Sequence, residues 1–283
     1  MSRKLIALDM DGTLLSTAKT ISSENGQAIR DAQAAGHIVM ICSGRPHVSL
    51  TKFLQDAGFG DLPISASNGT ISIVDGQVIN QMVMDKTVAQ KVFDWLVKHE
   101  FPFNLYTDQG VFNHAMFFDW AWQEAKQRPD FEEKKAELER IEGYFKSIIT
   151  ARFDQWAELP ADLGIFKFFV LTPEQGRKVM LEDFAGTVTG AMYTSSFPDN
   201  VEISDANGHK GSGITAVANY FGIPLENTVA MGDNFNDLGM LKVAGLAVAM
   251  GNGEDGVKEI ADVVTLSNDE HGVAHAIREY VLS

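Results

Sequence analysis

Four short apolar runs recur along the chain, and each of them leads into a cluster of glycine and polar residues. The runs cover residues 5–8, 38–42, 228–231 and 246–250. Continuous apolarity over so few residues predicts a strand that is buried on both faces of a parallel sheet. Helical patterns lie between the runs, for example at residues 24–35 and 211–221. Strands that alternate with helices indicate an α/β fold, in which ligands bind beyond the carboxyl ends of the strands.

The middle of the chain, residues 85–195, follows a different pattern, because none of its predicted strands ends in a cluster of Asp, Ser and Gly. The predicted strands are 103–106, 110–114, 165–171 and 187–193, and the predicted helical segments are 87–99, 119–144 with a break at Pro129, and 174–184. This mixture predicts an inserted α+β domain. The two ends of the chain, residues 1–84 and 196–283, are predicted to build one Rossmann-like core with a parallel sheet.

The net charge of the chain disfavours some classes of binding partner. With 23 Lys and Arg against 38 Asp and Glu, the formal net charge is −15. Because the sequence has no clustered run of basic residues, this charge disfavours binding to nucleic acid and to anionic membranes. No stretch approaches the ~20 apolar residues that cross a bilayer, and Cys42 is the single cysteine, which indicates a reducing compartment. We expect a cytoplasmic protein without nucleic-acid or membrane partners, and the sequence carries no signal for its oligomeric state.

Two aspartates follow the first apolar run at a spacing of two residues. In an extended segment such residues point the same way, so Asp9 and Asp11 should project together past the strand. Two close carboxylates repel each other unless a cation lies between them, and Mg²⁺ is a hard ion that binds carboxylate and phosphate oxygens. Asp233, at the end of another apolar run, can supply a further ligand. A strand end that simply leads into a turn is an alternative, whereas a calcium loop of the EF-hand type does not fit, because its twelfth position is Thr20 and not Glu.

Four segments, in order along the chain, resemble the motifs of the haloacid dehalogenase-like (HAD) superfamily. They are Asp9-Met10-Asp11-Gly12-Thr13, Ser43-Gly44-Arg45-Pro46, Gly208-His209-Lys210-Gly211 and Gly232-Asp233-Asn234-Phe235-Asn236-Asp237. Shorter pieces resemble the Cof-type subfamily, namely Ser67-Asn68-Gly69, Met250-Gly251-Asn252 and residues 268–273. Ser43 stands where the subfamily often has Thr, which keeps the hydroxyl, and the role of His209 before the lysine is open.

The resemblance implies a role for each motif. Asp9 would attack phosphorus and form an aspartyl-phosphate, and Asp11 would act as general acid and then as general base. Mg²⁺ would be held by the Asp9 carboxylate, the main-chain carbonyl of Asp11 and Asp233. The groups implied to hold the phosphate are the Met10 and Gly44 amides, the Ser43 hydroxyl, Lys210 and Asn236. Asp237 is either a support for the metal site or a helix cap, and both interpretations are open.

The inserted domain resembles the C2 cap of Cof-type proteins, which closes over the active site. Closure would exclude bulk water and let the cap recognise the leaving group. Residues near 84–85 and near 196–198 are predicted to be the hinges. The expected function is a Mg²⁺-dependent phosphomonoester hydrolase that acts on small phosphorylated metabolites, with sugar phosphates as the leading class.

Three other functions are compatible with parts of the sequence. A phosphomutase of the same superfamily would share the motifs and the cap, and a non-catalytic binding protein would share the fold. The intact set of Asp9, Asp11, Lys210 and Asp233 argues against the binding protein, since a retired site has no physical reason to keep clustered carboxylates. The segment 251–256 spells the dinucleotide fingerprint of a dehydrogenase. Two carboxylates in it lie where a pyrophosphate would dock, so a helix start is the better interpretation.

Overall fold

The computed structural model describes residues 2–283 and shows two compact units. The first unit comprises the described residues up to Gln81 together with Gly208–Ser283, and the second comprises Met82–Asn207. The chain therefore changes units after residues 81 and 207, whereas the sequence pattern places these changes after residues 84 and 195.

The first unit begins with alternating strands and helices. Its elements up to Gln81 are β1 (Leu5–Leu8), α1 (Ser23–Ala34), β2 (Ile38–Cys42), α2 (His47–Asp56), β3 (Ile64–Ala66), β4 (Ile71–Val74) and β5 (Gln77–Gln81). Strands β1 and β2 have the predicted bounds, and all four residues of β1 are fully buried. Helix α1 begins after Ser22, whose side chain accepts a hydrogen bond from the amide of Asn25 at 3.2 Å. This cap satisfies an amide that the first helical turn leaves unpaired.

The second unit combines a sheet with four helices. Its elements are α3 (Lys86–Lys98), β6 (Phe103–Thr107), β7 (Gly110–His114), α4 (Phe117–Ala125), α5 (Phe131–Ile148), β8 (Ile149–Phe153), β9 (Ile165–Leu171), α6 (Gln175–Gly186), β10 (Ala191–Thr194) and β11 (Asn200–Asp205). The long charged helical stretch is divided near Pro129, as predicted. The strand predicted at 187–193 begins only at Ala191, because Thr187 ends α6. The sequence pattern does not predict β8 or β11.

The chain then completes the first unit. The remaining elements are α7 (Lys210–Phe221), β12 (Thr228–Gly232), α8 (Leu238–Val243), β13 (Leu246–Ala249), α9 (Asp255–Lys258), β14 (Val263–Val264) and α10 (Gly272–Tyr280). Gly222 ends α7 with a φ of 64°, in the left-handed region that glycine adopts at low cost. Short 3₁₀ helices lie at Ser67–Gly69, Trp156–Glu158, Leu225–Asn227, Phe235–Asp237 and Asn268–Glu270. Among residues 2–283, no helix is both long and apolar enough to cross a membrane.

The strands of the first unit form one eight-stranded sheet in the order β14-β13-β12-β1-β2-β3-β4-β5. Pairing is parallel from β14 to β3, whereas β3, β4 and β5 pair antiparallel. β1 lies between β12 and β2, so the carboxyl ends of these three strands meet at one edge. The predicted fold class, a Rossmann-like α/β core with a parallel sheet, is confirmed, and three of the four polar motifs come together at this edge.

The second unit has its own six-stranded sheet, in the order β10-β11-β9-β6-β7-β8. Its pairs are antiparallel except for β7 and β8. Strand β11 pairs with β9 from Asn200↔Leu171 to Ser204↔Lys167 and buries Val201 in the apolar core of this unit. Residues 196–207 therefore belong to the second unit and not to the first. The hinge predicted near residues 196–198 lies inside the second unit.

Candidate active site

Lys210 lies between two carboxylates at the edge where β1 and β12 end. Its Nζ atom donates to Oδ1 of Asp9 and to Oδ1 of Asp237, each at 2.5 Å. Lys210 and Asp237 are fully buried, and Asp9 is 5% exposed. Asp9 directly follows β1 and Lys210 is the first residue of α7, so distant parts of the chain meet here. The structure thus brings the predicted nucleophile and the predicted phosphate-binding lysine into direct contact.

Asp237 holds the turn after β12 as well as the lysine. Its Oδ2 atom accepts hydrogen bonds from the amides of Asp233 and Asn234 at 2.9 and 3.0 Å, while Oδ1 accepts from Lys210. It is the last residue of the 3₁₀ helix Phe235–Asp237, which Asn234 caps. Asp237 therefore caps the turn and also positions Lys210, and its support for a metal site stays a prediction.

Asp233 completes a cluster of three carboxylates. Its Oδ1 atom accepts a hydrogen bond from the hydroxyl of Thr13 at 2.7 Å. Carboxylate oxygens of Asp9, Asp233 and Asp237 lie within 4.8 Å of one another. Gly12 leaves room for this cluster, because a Cβ atom at that position would collide with the Asp233 carboxylate and the backbone φ there is +85°.

The charges of this cluster are unbalanced. Burial raises the pKa of Asp9 well above its ordinary value; Lys210 opposes the rise, and the charges of Asp237 and Asp233 add to it. Burial also raises the pKa of Asp233 to about 6, and the charge of Asp237 adds to that rise. Burial lowers the pKa of Lys210, but Asp237 and Asp9 outweigh it and hold this pKa above its ordinary value. A hard divalent cation beside Asp9 and Asp233 would relieve the repulsion, so the oxygen donors fit Mg²⁺.

The side chain of Asp11 has a different set of partners. Arg45 donates to both of its oxygens, from Nε to Oδ2 at 2.8 Å and from Nη2 to Oδ1 at 2.9 Å, and Nζ of Lys19 donates to Oδ1 at 3.1 Å. Burial raises the pKa of Asp11, but Arg45 and Lys19 outweigh this effect and hold the pKa below its ordinary value. The structure thus separates the side-chain partners of Asp11 from those of Asp9.

The other predicted phosphate-binding side chains lie at the same edge of the sheet. Ser43 follows β2, is buried, and accepts a hydrogen bond at its hydroxyl from the amide of Arg45 at 3.2 Å. Asn236 lies in the turn after β12, where its Nδ2 atom donates to Oδ1 of Asn68 at 3.5 Å. A Cβ atom on Gly44 would contact both Asn68 and Asn236. The loop after β2 and the turn after β12 are therefore neighbours.

Two residues beside the candidate catalytic groups, Met10 and His209, make contacts that stabilise the local fold. Met10 is fully buried, and its carbonyl accepts a hydrogen bond from the amide of Leu15 at 2.9 Å. His209 caps α7, since its Nδ1 atom accepts from the amide of Ser212 at 3.3 Å and its carbonyl accepts from the Ser212 hydroxyl at 2.6 Å. The open role of His209 is thus that of a helix cap.

Four residues that contact the site have no role in the sequence interpretation: Thr13, Lys19, Arg45 and Asn68. Three of them stand inside segments that resemble family motifs, so membership of a motif is a signal that could have found them. Lys19 lies in the loop before α1 with a φ of 60°, and no pattern marks it. Only the fold shows that it reaches Asp11.

The segment 251–256 serves a structural purpose. Helix α9 has only four residues and follows Glu254, so it offers little for a pyrophosphate to bind. Asn252 joins two loops instead, because its Nδ2 atom donates to the carbonyl of Gly12 and its Oδ1 atom accepts from the amide of Asn268, each at 2.8 Å. The dehydrogenase interpretation has no support in this geometry.

Comparison with known proteins decides the family. A family model described as haloacid dehalogenase-like hydrolase matches residues 6–277. The chain belongs to the haloacid dehalogenase-like hydrolase family. The resemblance inferred from the four motifs is therefore confirmed.

Relatives within this hydrolase family are similar to the chain over nearly its whole length. Phosphatase YwpJ of Bacillus subtilis is 34% identical and covers 97% of this chain and 99% of its own. The 5-amino-6-(5-phospho-D-ribitylamino)uracil phosphatase YwtE of the same organism is 33% identical, with 97% and 96% covered. A solved haloacid dehalogenase-like hydrolase structure from B. subtilis is 28% identical, covers 98% of this chain and 100% of its own, and has a TM-score of 0.84. The chain is accordingly an enzyme of the phosphatase type.

Proposed function

We propose that the chain is a Mg²⁺-dependent phosphomonoester hydrolase that acts on small phosphorylated metabolites through an aspartyl-phosphate at Asp9. The observation that carries the proposal is the cluster of Asp9, Asp233 and Asp237 beside Lys210. Buried carboxylates in excess over their counter-charges cost free energy, and a phosphate ester adds further negative charge. Mg²⁺ held by Asp9, Asp233 and the main-chain carbonyl of Asp11 would supply positive charge and polarise the phosphoryl group.

Asp9 acts as the nucleophile in the first step. One oxygen of its carboxylate attacks phosphorus and forms a P–O bond, while the bond between phosphorus and the leaving oxygen breaks. Lys210 orients this carboxylate through their direct contact and offers positive charge to the phosphate. The other groups proposed to hold the phosphate are the Ser43 hydroxyl, the Met10 and Gly44 amides, and the side chain of Asn236.

Asp11 transfers the proton in both steps. It gives a proton to the leaving alcohol oxygen, and it later removes a proton from the water that attacks the aspartyl-phosphate and releases inorganic phosphate. The ion pairs with Arg45 and Lys19 hold Asp11 ionised, which is the form that the second step requires. The first step requires the protonated form, so Asp11 must leave these partners when substrate binds.

The second unit, Met82–Asn207, is proposed to be the cap that recognises the leaving group. Its insertion between the second and third motifs supports this role. The relative YwtE is named for a phosphorylated ribitylaminouracil, which supports a small phosphorylated metabolite as substrate, and sugar phosphates lead the panel to be tested. A cytoplasmic location without nucleic-acid partners belongs to the same proposal and is supported by the single cysteine and the net charge of −15.

A phosphate-release assay over a panel of sugar and polyol phosphates tests the proposal. We expect release with Mg²⁺, loss of release in excess EDTA, and recovery when Mg²⁺ is restored. Ca²⁺ should restore little activity, because its larger and looser coordination misplaces the attacking oxygen. Full turnover of p-nitrophenyl phosphate in excess EDTA would show that the proposal is wrong. Release without a bisphosphate activator would separate a hydrolase from a phosphomutase.

A further inference from the structure

We infer that the turn Ser67–Gly69 is a brace that holds three parts of the active site in register, with Asn68 as its positioning residue. This brace follows β3 and adjoins the loop after β2, the start of α7 and the turn after β12. The inference rests on the proposed function, because it takes Gly44, Lys210 and Asn236 as the groups that hold the phosphate.

The backbone of the brace is strained. Ser67, Asn68 and Gly69 have φ values of 50°, 59° and 90°, so three consecutive residues lie in the left-handed region. Glycine adopts this region freely and asparagine tolerates it, whereas serine is disfavoured there. Strain of this kind persists only where surrounding contacts over-determine the conformation, and such positions cluster at functional sites.

The first set of such contacts runs to the loop after β2. The amide of Ser67 donates to the carbonyl of Arg45 at 2.9 Å, and the amide of Asn68 donates to the carbonyl of Ser43 at 3.0 Å. Between these two anchors, a Cβ atom on Gly44 would lie 2.9 Å from Oδ1 of Asn68, which is too close. The brace therefore lies directly against Gly44, and a larger residue there would displace the side chain of Asn68.

The second set of contacts joins the brace to α7 and to Asn236. A Cβ atom on Gly69 would collide with the carbonyl of His209 and approach the amide of Lys210, so the brace lies directly against the start of the helix. Oδ1 of Asn68 accepts a hydrogen bond from Nδ2 of Asn236 at 3.5 Å. Asn68 is only 3% exposed, so water has little access to replace its carboxamide. Asn68 thus links the loop after β2, through its main-chain amide, to the turn after β12, through its side chain.

Two substitutions test this role. Asn68→Gly and Asn68→Ala both remove the carboxamide, but glycine keeps the left-handed backbone at lower cost. We expect both variants to lose about tenfold in kcat/KM, the usual effect of one lost hydrogen bond, with KM changing more than kcat. The inhibition constant of inorganic phosphate should rise by a similar factor. Asp75→Gly is the matched control, because Asp75 has a φ of 50° in the turn between β4 and β5 and no part in the site.

A double-mutant cycle with Asn236→Ala separates positioning from general damage. If Asn68 acts mainly through Asn236, Asn68→Gly should cost far less than tenfold in the Asn236→Ala background, where only the contact with Gly44 remains to be lost. Three outcomes would contradict the inference. They are a full tenfold loss of kcat/KM in that background, wild-type KM and kcat in Asn68→Gly, and a loss in Asn68→Ala that Asn68→Gly does not share. A crystal structure of Asn68→Gly adds a readout that needs no turnover, in which Asn236 and Gly44 should be displaced. Unchanged positions of both would overturn the brace, whereas an inactive wild-type enzyme would overturn the proposed function.

Discussion

A fully buried lysine lies in each of the two units, Lys210 in the first and Lys167 in the second. The carboxylates around these two lysines differ in number. Lys210 contacts Asp9 and Asp237, and Asp233 belongs to the same cluster. Three carboxylates beside one ammonium leave an excess of negative charge in a buried space, which favours binding of a cation.

Lys167 is in a balanced environment. This residue of β9 pairs with Glu202 of β11 at 2.9 Å, and its ammonium lies 4.7 Å from the centre of the Tyr106 ring. One positive and one negative charge across neighbouring strands neutralise each other, and the aromatic ring adds favourable electrostatic energy. The comparison shows that the balance of charge, and not burial alone, distinguishes a candidate reactive centre from an ordinary buried ion pair.

The two units also differ in where their polar and apolar side chains lie. Two buried strands of the first unit, β1 and β12, lead into Asp9 and Asp233. The second unit instead has a core with five buried phenylalanines besides Phe168, namely Phe93, Phe101, Phe103, Phe112 and Phe153. We therefore expect substitutions at the strand ends of the first unit to change turnover. Substitutions in the core of the second unit should change stability.

The largest effect should come from Asp9→Asn, which preserves the shape of the side chain but removes the nucleophile. Turnover should fall by on the order of 10³ or more, and acid quenching should trap no phosphoenzyme. Asp31→Asn on the surface of α1 is a control that should leave turnover unchanged. Near-normal turnover of Asp9→Asn would move the covalent step to another residue.

Asp11→Asn should show a loss that depends on the leaving group. For a sugar phosphate, whose alkoxide leaves poorly, the loss should reach about 10²–10⁴, the usual contribution of general acid–base catalysis. For p-nitrophenyl phosphate the first step should be affected much less, and slow dephosphorylation should appear as a burst of nitrophenol. Equal losses on both substrates in the rate of the first step, measured in a single turnover, would contradict the role of Asp11 as the acid.

A pair of core substitutions tests the contrast between the units. Phe168→Ala in the second unit should cost about 3–5 kcal/mol of unfolding free energy, because Phe168 is fully buried. Its folded fraction should turn over p-nitrophenyl phosphate at nearly the normal rate. Leu8→Ala, directly before Asp9, should cost about 2–5 kcal/mol and also lower turnover. Equal loss of turnover in the two variants, measured after correction for unfolded protein, would show that the contrast is wrong.

The smallest effect concerns the pH dependence of stability in the second unit. Burial lowers the pKa of His114 below its ordinary value of 6.5, although Asp154 and Glu158 partly oppose the shift. The unfolded chain therefore takes up a proton at higher pH than the folded one, so stability should decline as the pH falls below about 6.5. His114→Phe should show a shallower decline in melting temperature. Phe153→Leu is the control, because Phe153 is a neighbour without a titratable group, and it should lower stability by a similar amount at every pH. If the decline is unchanged in His114→Phe, His114 is not the source of the pH dependence.

Local patterns in the sequence were sufficient to predict most of the core and the positions of the motifs. Strands β1, β2, β7 and β9 have the predicted bounds, because short apolar or alternating runs between turn residues are local signals. The meeting of Asp9 and Asp233 could be anticipated from the sequence, since carboxyl ends of neighbouring parallel strands meet at one edge. The family resemblance added Lys210 to that cluster.

Tertiary structure alone decided how distant residues complete the site. Strand β11 belongs to the second unit because it pairs with β9, and the hydrogen bonds of a sheet depend on a partner strand that no local pattern specifies. The ion pairs of Asp11 with Arg45 and Lys19, and the contacts of Asn68, likewise join residues whose approach depends on how the loops pack. Local sequence patterns specify which chemical groups stand at the strand ends. The packing of the chain determines which of these groups touch, because short-range periodicity carries no information about contacts between distant loops.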